Sequence, residues 1–318
     1  MSRRAPAWAL ALLLLLAAPS AWAAGDVLAG PHAPLPGPQW RLYQDRGVSL
    51  GIPARWYGFF YVGLRPFYGW WALKRHALYT EMEFSLFEAQ GLPQAGRRGQ
   101  VETRVLGPSR LAGLPARAFG QTELAGTPDA RRRLILVLDR PLPNGRRLWA
   151  VADSDAKLWQ KTRPTLDAVL ASLRIEPFFF ILGSQWRLVE HGGVYLESPW
   201  DWEGRALPDG YQWSGGAGQG RTLAISYHQG PPPDLAGWTL AGQSRLDSYP
   251  CQVYDRKSAK DGAAVFQRLA LVDEPLADRR RIWLRGELRG AASARDWDEL
   301  RPALNAMLRS VRIDWELF

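Results

Sequence analysis

Four histidines, one cysteine and a scatter of carboxylates are the residues of this 318-residue chain suited to chemistry near neutral pH. The histidines are His32, His76, His191 and His228. No two of them show metal-ligand spacing, and the single Cys251 cannot build a thiolate cluster, so neither a metal nor a cofactor is expected. His191 or His228, with carboxylates such as Glu190 and Asp201, could do general acid–base work. No nucleophile accompanies them: the chain has no G-x-S-x-G, no P-loop and no dinucleotide fingerprint. Gly215 to Gly220 is glycine-rich, but it precedes a strand-like run, and a phosphate cradle needs the amides of a helix start. The expectation is solvent-facing histidines, a buried inert cysteine and no catalytic residue.

Two other groups of residues are suited to recognition. Arg146-Arg147 and Arg280-Arg281 sit just ahead of Trp149 and Trp283, and two such turns could present a basic face to an anionic partner. The segment Tyr57–Tyr79, YGFFYVGLRPFYGWWALKRHALY, is crowded with aromatic rings. Glycines, Pro66, Arg65, Lys74 and Arg75 interrupt it, so it is not a membrane span. Trp, Tyr and Arg are the usual anchors of protein interfaces, which makes Arg65, Tyr68, Trp70 and Trp71 the candidate partner-binding residues beside the two arginine pairs. Peripheral contact with a membrane interface is a second use of such a segment. The structural alternative is a loop that folds over a domain junction and completes the core.

The elements that must position these residues occur twice. Trp159 to Ile175 (WQKTRPTLDAVLASLRI) returns as Trp297 to Ile313 (WDELRPALNAMLRSVRI), identical at nine of 17 positions. Apolar residues at helical spacing (Leu166, Val169, Leu170 and Leu173; Leu300, Leu304, Met307, Leu308 and Val311) predict an amphipathic helix that covers a sheet. Ser293 and Asp296 resemble a capping box. Pro164 and Pro302 either kink these helices from inside or begin them. Upstream, Trp40–Trp56 matches Trp186–Trp202 at an offset of 146, with Gly47/Gly193 and Pro53/Pro199 in common. Met82–Glu88 matches Leu223–Tyr227 at 139, which leaves seven extra residues in the first copy. Ser109–Phe119 matches Ser244–Tyr254, and Leu134–Trp149 matches Arg268–Trp283; each reads as two strands and a turn, with Asn144-Gly145 as a hairpin signal. The reading is α+β: two tandem copies, residues 39–182 and 183–318, of an antiparallel sheet closed by a C-terminal amphipathic helix.

The chain begins with Arg3-Arg4, a leucine-rich run from Ala9 to Ala18, and Ala21-Trp22-Ala23, so residues 1–23 are expected to be a cleaved signal peptide. A Pro/Gly-rich stretch over residues 24–38 reads as an extended leader. Removing Arg3 and Arg4 leaves 38 basic residues against 31 acidic ones, a net charge of +7. That charge is spread along the chain, so nucleic acid is not an expected partner. A periplasmic or secreted location follows, with cores held by packing rather than disulfides.

G-V-x-L-x-x-P-x-x-W near the start of each copy, Gly113-Leu114-Pro115-Ala116 in the first, and helices ending in A-S-L-R-I or R-S-V-R-I together resemble the PsbP-like fold. That fold includes an extrinsic photosystem II subunit and exported bacterial proteins such as DcrB-like lipoproteins. The second copy departs from the pattern at Ser248, where the first has Gly113. The resemblance implies a non-catalytic exported binding or accessory protein with a protein partner in the cell envelope. One version is an immunity protein that inhibits an antibacterial effector; another is an envelope assembly factor. An enzyme acting on envelope lipid or glycan is the competing class.

Overall fold

The computed structural model describes residues 27–28, 35–61, 67–73, 80–260, 263–275, 280–291 and 293–314. The segment read as a signal peptide lies outside them. No helix among the described residues is long and apolar enough to cross a membrane. The architecture is α+β, mostly antiparallel sheet.

The first half opens with the hairpin β1 (Trp40–Asp45) and β2 (Val48–Pro53). Then come β3 (Tyr57–Tyr61), β4 (Phe67–Leu73), β5 (Thr80–Ala89), β6 (Gly96–Arg98), β7 (Val101–Leu111), β8 (Leu114–Glu123), β9 (Arg131–Leu138) and β10 (Arg147–Asp155). These eight form one sheet in the order β3-β4-β5-β10-β9-β8-β7-β6. Helix α1 (Trp159–Ser172) follows, and β11 (Arg174–Ile175) returns to pair with β2. One short turn of helix, α2 (Phe179–Leu182), leads into the second half.

The second half repeats this order. After β12 (Trp186–His191) and β13 (Val194–Pro199) come β14 (Glu203–Leu207), β15 (Gly210–Gly216), β16 (Thr222–Gly230), β17 (Thr239–Leu246), β18 (Tyr249–Lys260), β19 (Ala263–Val272) and β20 (Arg281–Ala291). They form a seven-stranded sheet in the order β14-β15-β16-β20-β19-β18-β17, which lacks only a counterpart of β6. Helix α3 (Ala294–Ser310) and β21 (Arg312–Ile313) close the half, and β21 pairs with β13 as β11 does with β2.

Local physics recurs at matched positions. The β1–β2 and β12–β13 turns place Arg46 and Gly47 (φ 43° and 85°), and Gly192 and Gly193 (φ 55° and 77°), in the left-handed region. Two positive φ values make a turn whose twist matches the strands it joins. The register of β7 against β8 slips between Val105 and Gly107, and that of β17 against β18 between Leu240 and Gly242. The Ser172 hydroxyl accepts the Gly51 amide at 2.8 Å, and the Ser310 hydroxyl accepts the Glu197 amide at the same distance. Arg41 and Arg187 donate to the carbonyls of Trp56 and Trp202.

Each helix buries its apolar stripe on its own sheet. Leu166 and Val169 of α1 meet Phe84, Leu86, Leu136 and Ala150; Leu300, Leu304, Met307 and Leu308 of α3 meet Ile225, Ala270, Leu284 and Leu288. Burial of this kind is worth about 1.5–3 kcal/mol per large side chain. Pro164 and Pro302 both lie inside their helices, and Ser293 with Asp296 forms a capping box. Cys251 is fully buried in the second core.

Some expectations need correction. The described parts of Tyr57–Tyr79 are strands, because β3 and β4 pair with each other and β4 with β5; the second half forms the same hairpin from β14 and β15. Gly215 and Gly216 end β15, and Gly218 to Gly220 lie in the turn that follows, where the Arg221 amide donates to the Gly218 carbonyl. Strand β5 matches β16 at an offset of 141, since Ala89 stands opposite Arg147 and Gly230 opposite Arg281. A shift of two keeps every side chain on its face, so alternation alone could not reveal it. The leader is also packed where it is described. The Val27 amide donates to the Gln243 carbonyl, Leu28 is 0% exposed in the second core, and Leu35 and Pro36 lie against Gly51.

The halves meet at the first turn. The Arg46 guanidinium grips the Glu197 carboxylate through two hydrogen bonds of 2.8 Å. Phe178 packs in the second core beside Trp186, yet its ring presses on Gly47, where a Cβ would lie 2.8 Å away. Phe179 and Phe180 pack in the first core.

Two stability predictions follow from this packing. Leu28→Ala is expected to lower unfolding free energy by about 2–4 kcal/mol in chemical denaturation, the cost of a buried leucine. An unpacked leader would show no change. Glu197→Gln is expected to destabilise more than Arg46→Gly, because the first takes the bidentate carboxylate from the buried guanidinium and leaves it the more distant Asp45 carboxylate, 3.7 Å away, while the second removes both that charge and a non-glycine residue at positive φ. The reverse ranking in urea melts would mean that the fork contributes little.

Candidate functional site

Chemistry comes first. Strand β16 and the turn before β15 bring three residues into line: His228 Nε2 is 2.9 Å from Ser226 Oγ, and His228 Nδ1 is 3.0 Å from Asp209 Oδ2. The order serine, histidine, aspartate is that of an acyl-transfer relay. Access is what it lacks. Ser226 is 1% exposed and His228 lies stacked on Trp283, with ring centroids 3.8 Å apart. A nucleophile must reach a carbonyl carbon, and a serine closed off in this way does not. His228 takes Asp209 as its partner, not Asp201. His191 Nδ1 meets the Tyr227 hydroxyl at 2.8 Å and the ring stacks on Tyr211, while Glu190 accepts the Gly193 amide. Among the described residues no three His, Cys, Asp or Glu side chains stand close enough to hold a metal ion.

An open cleft of about 400 Å³ lies elsewhere, on the first half. Helix α1 begins at Trp159, so the ends of β7, β8 and β9 extend past it. Gly120, Thr122, Arg132 and Leu134 line the cleft from the sheet, Arg104 and Leu106 from β7, and Trp159 and Arg163 from the helix. Most of its charges are matched: Arg104 with Glu102, Arg133 with Glu123 and Asp153, and Arg163 with Asp167. Desolvation acts to lower the Arg133 pKa, but Asp153 and Glu123 outweigh it and hold the guanidinium above its ordinary value. Arg132 is exposed and, among the described residues, pairs with no carboxylate. A second cleft, of about 350 Å³, runs along the junction past Arg46, Glu197, Leu188 and Arg309.

Sequence reasoning pointed to other residues. Arg65 lies outside the described residues. Tyr68 pairs opposite Leu86, Trp70 opposite Phe84 and Trp71 opposite Glu83, so the positions of the two tryptophans fall on opposite faces of the sheet. Arg147 donates to the carbonyls of Leu138 and Asp139, and Arg281 to that of Val272, so the second arginine of each pair turns onto its own hairpin. The Arg146 amide donates to Asn144, and Arg280 donates to Gln229. Neither arginine of either pair lines the arginine-and-tryptophan cleft. Arg132 and Arg133 belong to the basic run Arg131-Arg132-Arg133 at the start of β9. The signal that singles out the cleft is the difference between the repeats: Arg132 stands where the second has Phe266, and Gly120 where it has Asp255.

No protein-family profile matches the chain, and no curated protein matches it by sequence. Among solved structures, the solution structure of cyanobacterial PsbP from Synechocystis sp. PCC 6803 is similar over 46% of this chain and 98% of its own, at 14% identity and a TM-score of 0.31. The apo immunity protein TplEi of T6SS from Pseudomonas aeruginosa is similar over 86% of this chain and 97% of its own, at 10% identity and 0.24. MucB in complex with MucA(peri) is similar over 86% and 91%, at 14% identity and 0.14. Likeness at these scores carries no argument about what this chain does.

The buried histidine gives a pH prediction. Burial pushes the His228 pKa below 6.5, and the hydrogen bond and charge of Asp209 offset that only in part. The unfolded chain therefore takes up a proton first as pH falls, so stability present above about pH 6.5 is lost below it. In the first half, Phe87 stands opposite Trp149 as His228 stands opposite Trp283. His228→Phe is expected to flatten the fall in melting temperature between about pH 6.5 and 5. An unchanged slope would place the acid sensitivity in other groups.

Proposed function

We propose that this is a non-catalytic exported protein built from two copies of one PsbP-like domain, and that it binds another protein through its first copy. The observation that carries the reading is an asymmetry: the same sheet and helix occur in both halves, and the first leaves a cleft lined by Trp159, Leu106 and arginines open to solvent. Trp and Arg are the side chains that most often anchor protein interfaces. The closed-off Ser226 supports the non-catalytic part, and Arg3-Arg4 with Ala21-Trp22-Ala23 supports export. A periplasmic immunity protein that blocks an antibacterial effector is the concrete version, resting on the sequence resemblance. An effector gene beside this one would favour it over an envelope assembly factor.

The test is cross-linking of the exported protein in cells, identification of the linked protein, and reconstitution of the pair from purified components. A defined 1:1 complex is expected, with no turnover of simple esters. Failure of every linked candidate to form a complex, or ester hydrolysis abolished by Ser226→Ala, would overturn the reading. The aromatic hairpin gives a second measurement. Trp71, whose position lies on the sheet face opposite the cleft, would make a separate contact with the partner: Trp71→Ala is expected to weaken that complex with little change in melting temperature, whereas Trp70→Ala, in line with buried Phe84, lowers the melting temperature. Equal effects of the two on both readouts would remove the hairpin from the binding surface.

A further inference from the structure

The second half contains a filled version of the first half's cleft. Position for position, Phe266 replaces Arg132, Arg268 replaces Leu134 and Trp297 replaces Trp159, while in β18 Asp255 replaces Gly120 and Lys257 replaces Thr122. These replacements close the space. Phe266 stacks on Trp297, with ring centroids 5.7 Å apart and planes 14° from parallel. The Lys257 ammonium sits 5.3 Å from the Phe266 ring. Below them Arg268 spans the floor, bound to Asp255 at 2.7 and 2.8 Å and to Asn305 at 2.6 Å.

In the first half each of these fillers is missing. Gly120 has no side chain, and the nearest atoms to a Cβ built there belong to Leu106, 3.6 Å off. Among the described residues no ring stacks on Trp159 in the place of Phe266; the Arg163 guanidinium lies 5.4 Å from its centroid. Arg132, where the ring would be, brings an unmatched positive charge. At the rim the β7 bulge turns out Leu106, which is 60% exposed.

We propose that the first-half cleft binds an aromatic side chain of a protein partner, carried on an extended segment with Asp or Glu beside the ring. The ring takes the place that Phe266 takes against Trp297, and its neighbouring carboxylate meets Arg132. An offset or parallel ring on an indole is a favourable contact, and an arginine beside it binds a carboxylate through two parallel hydrogen bonds. Leu106 offers the apolar rim over which the flanking segment runs. A segment of protein fits better than a free small molecule, because the cleft opens along the sheet and its internal template is itself a side chain on a strand. This inference rests on the protein-binding reading and names the chemistry of the partner.

Calorimetry with three peptides on the exported protein tests it. Acetylated and amidated EDFED is expected to bind 1:1 and at least about tenfold more tightly than EDAED, which lacks the ring, or KKFKK, which reverses the charge. Added salt should weaken EDFED, as expected for an exposed ionic contact. Arg132→Phe, which imports the second half's own filler, is expected to abolish EDFED binding while the melting temperature holds or rises. Arg132→Lys, which keeps the charge but loses the planar fork, should retain part of the affinity. Indistinguishable binding of the three peptides, or an Arg132→Phe protein that binds EDFED like the parent, would overturn the proposal. If EDFED fails while the reconstituted complex forms, the cleft is not the docking place and the broader reading stands. If EDFED binds and no partner complex forms, the broader reading is what fails.

Discussion

The contact between Arg46 and Glu197 ties the two halves of the molecule together. Arg46 stands in a turn whose counterpart is Gly192, and it adopts a left-handed φ that an arginine rarely takes. The bidentate grip on Glu197 holds it there. Glu197 in turn donates its amide to Ser310 at the end of α3, so one residue ties the second helix, the second small sheet and the first half together. The matching residue in the first half is Gly51, where a Cβ would lie tight against Leu35 and the Ser172 hydroxyl at 3.2 and 3.3 Å. The same site is thus crowded in one half and carries a bridging carboxylate in the other. Around this contact burial raises the Tyr43 phenol, aided by Asp45, and raises the Glu176 carboxyl against the pull of Arg309.

Repeated architecture leaves each half free to change its polar groups while the backbone bonds stay. The hydroxyl clasps of Ser172 and Ser310 and the carbonyl bonds from Arg41 and Arg187 are common to both halves. What differs is the covering of the sheets. Phe87 against Trp149 has become His228 against Trp283, and the histidine has drawn Ser226 and Asp209 into a line of hydrogen bonds. That line resembles a catalytic relay, yet its setting accounts for it as a buried polar group finding partners, since an unsatisfied imidazole under a tryptophan would be costly.

Helical periodicity and alternation made the main helices and most strands legible in the sequence, and the Ser293 capping box could be read directly. The β3–β4 hairpin was not legible, because its aromatic run is interrupted by glycine and proline and carries no clean alternation. Strand pairing is a long-range property, and only the register against β5 shows it. The leader misled for a different reason. Proline and glycine density says how a segment behaves alone, whereas Leu28 is placed by a pocket built from residues hundreds of positions away. The cleft escaped a search by residue type because no single arginine in it is unusual. It emerges when the halves are compared, through glycine for aspartate and arginine for phenylalanine.

The bond from Asn305 to the Val27 carbonyl, with Leu28 sunk beneath it, joins residues 278 positions apart. A chain synthesised from its N-terminus presents this tether long before its socket exists. The core that takes Leu28 includes Leu246, Leu300 and Leu304, so the leader can seat only after almost the whole chain has emerged. A mechanical consequence follows as well. Tension applied at Val27 passes to the C-terminal half before the half next in sequence, because among the described residues Val27 is held by β17 and α3, whereas the contacts of Leu35 and Pro36 with β2 come later in the chain.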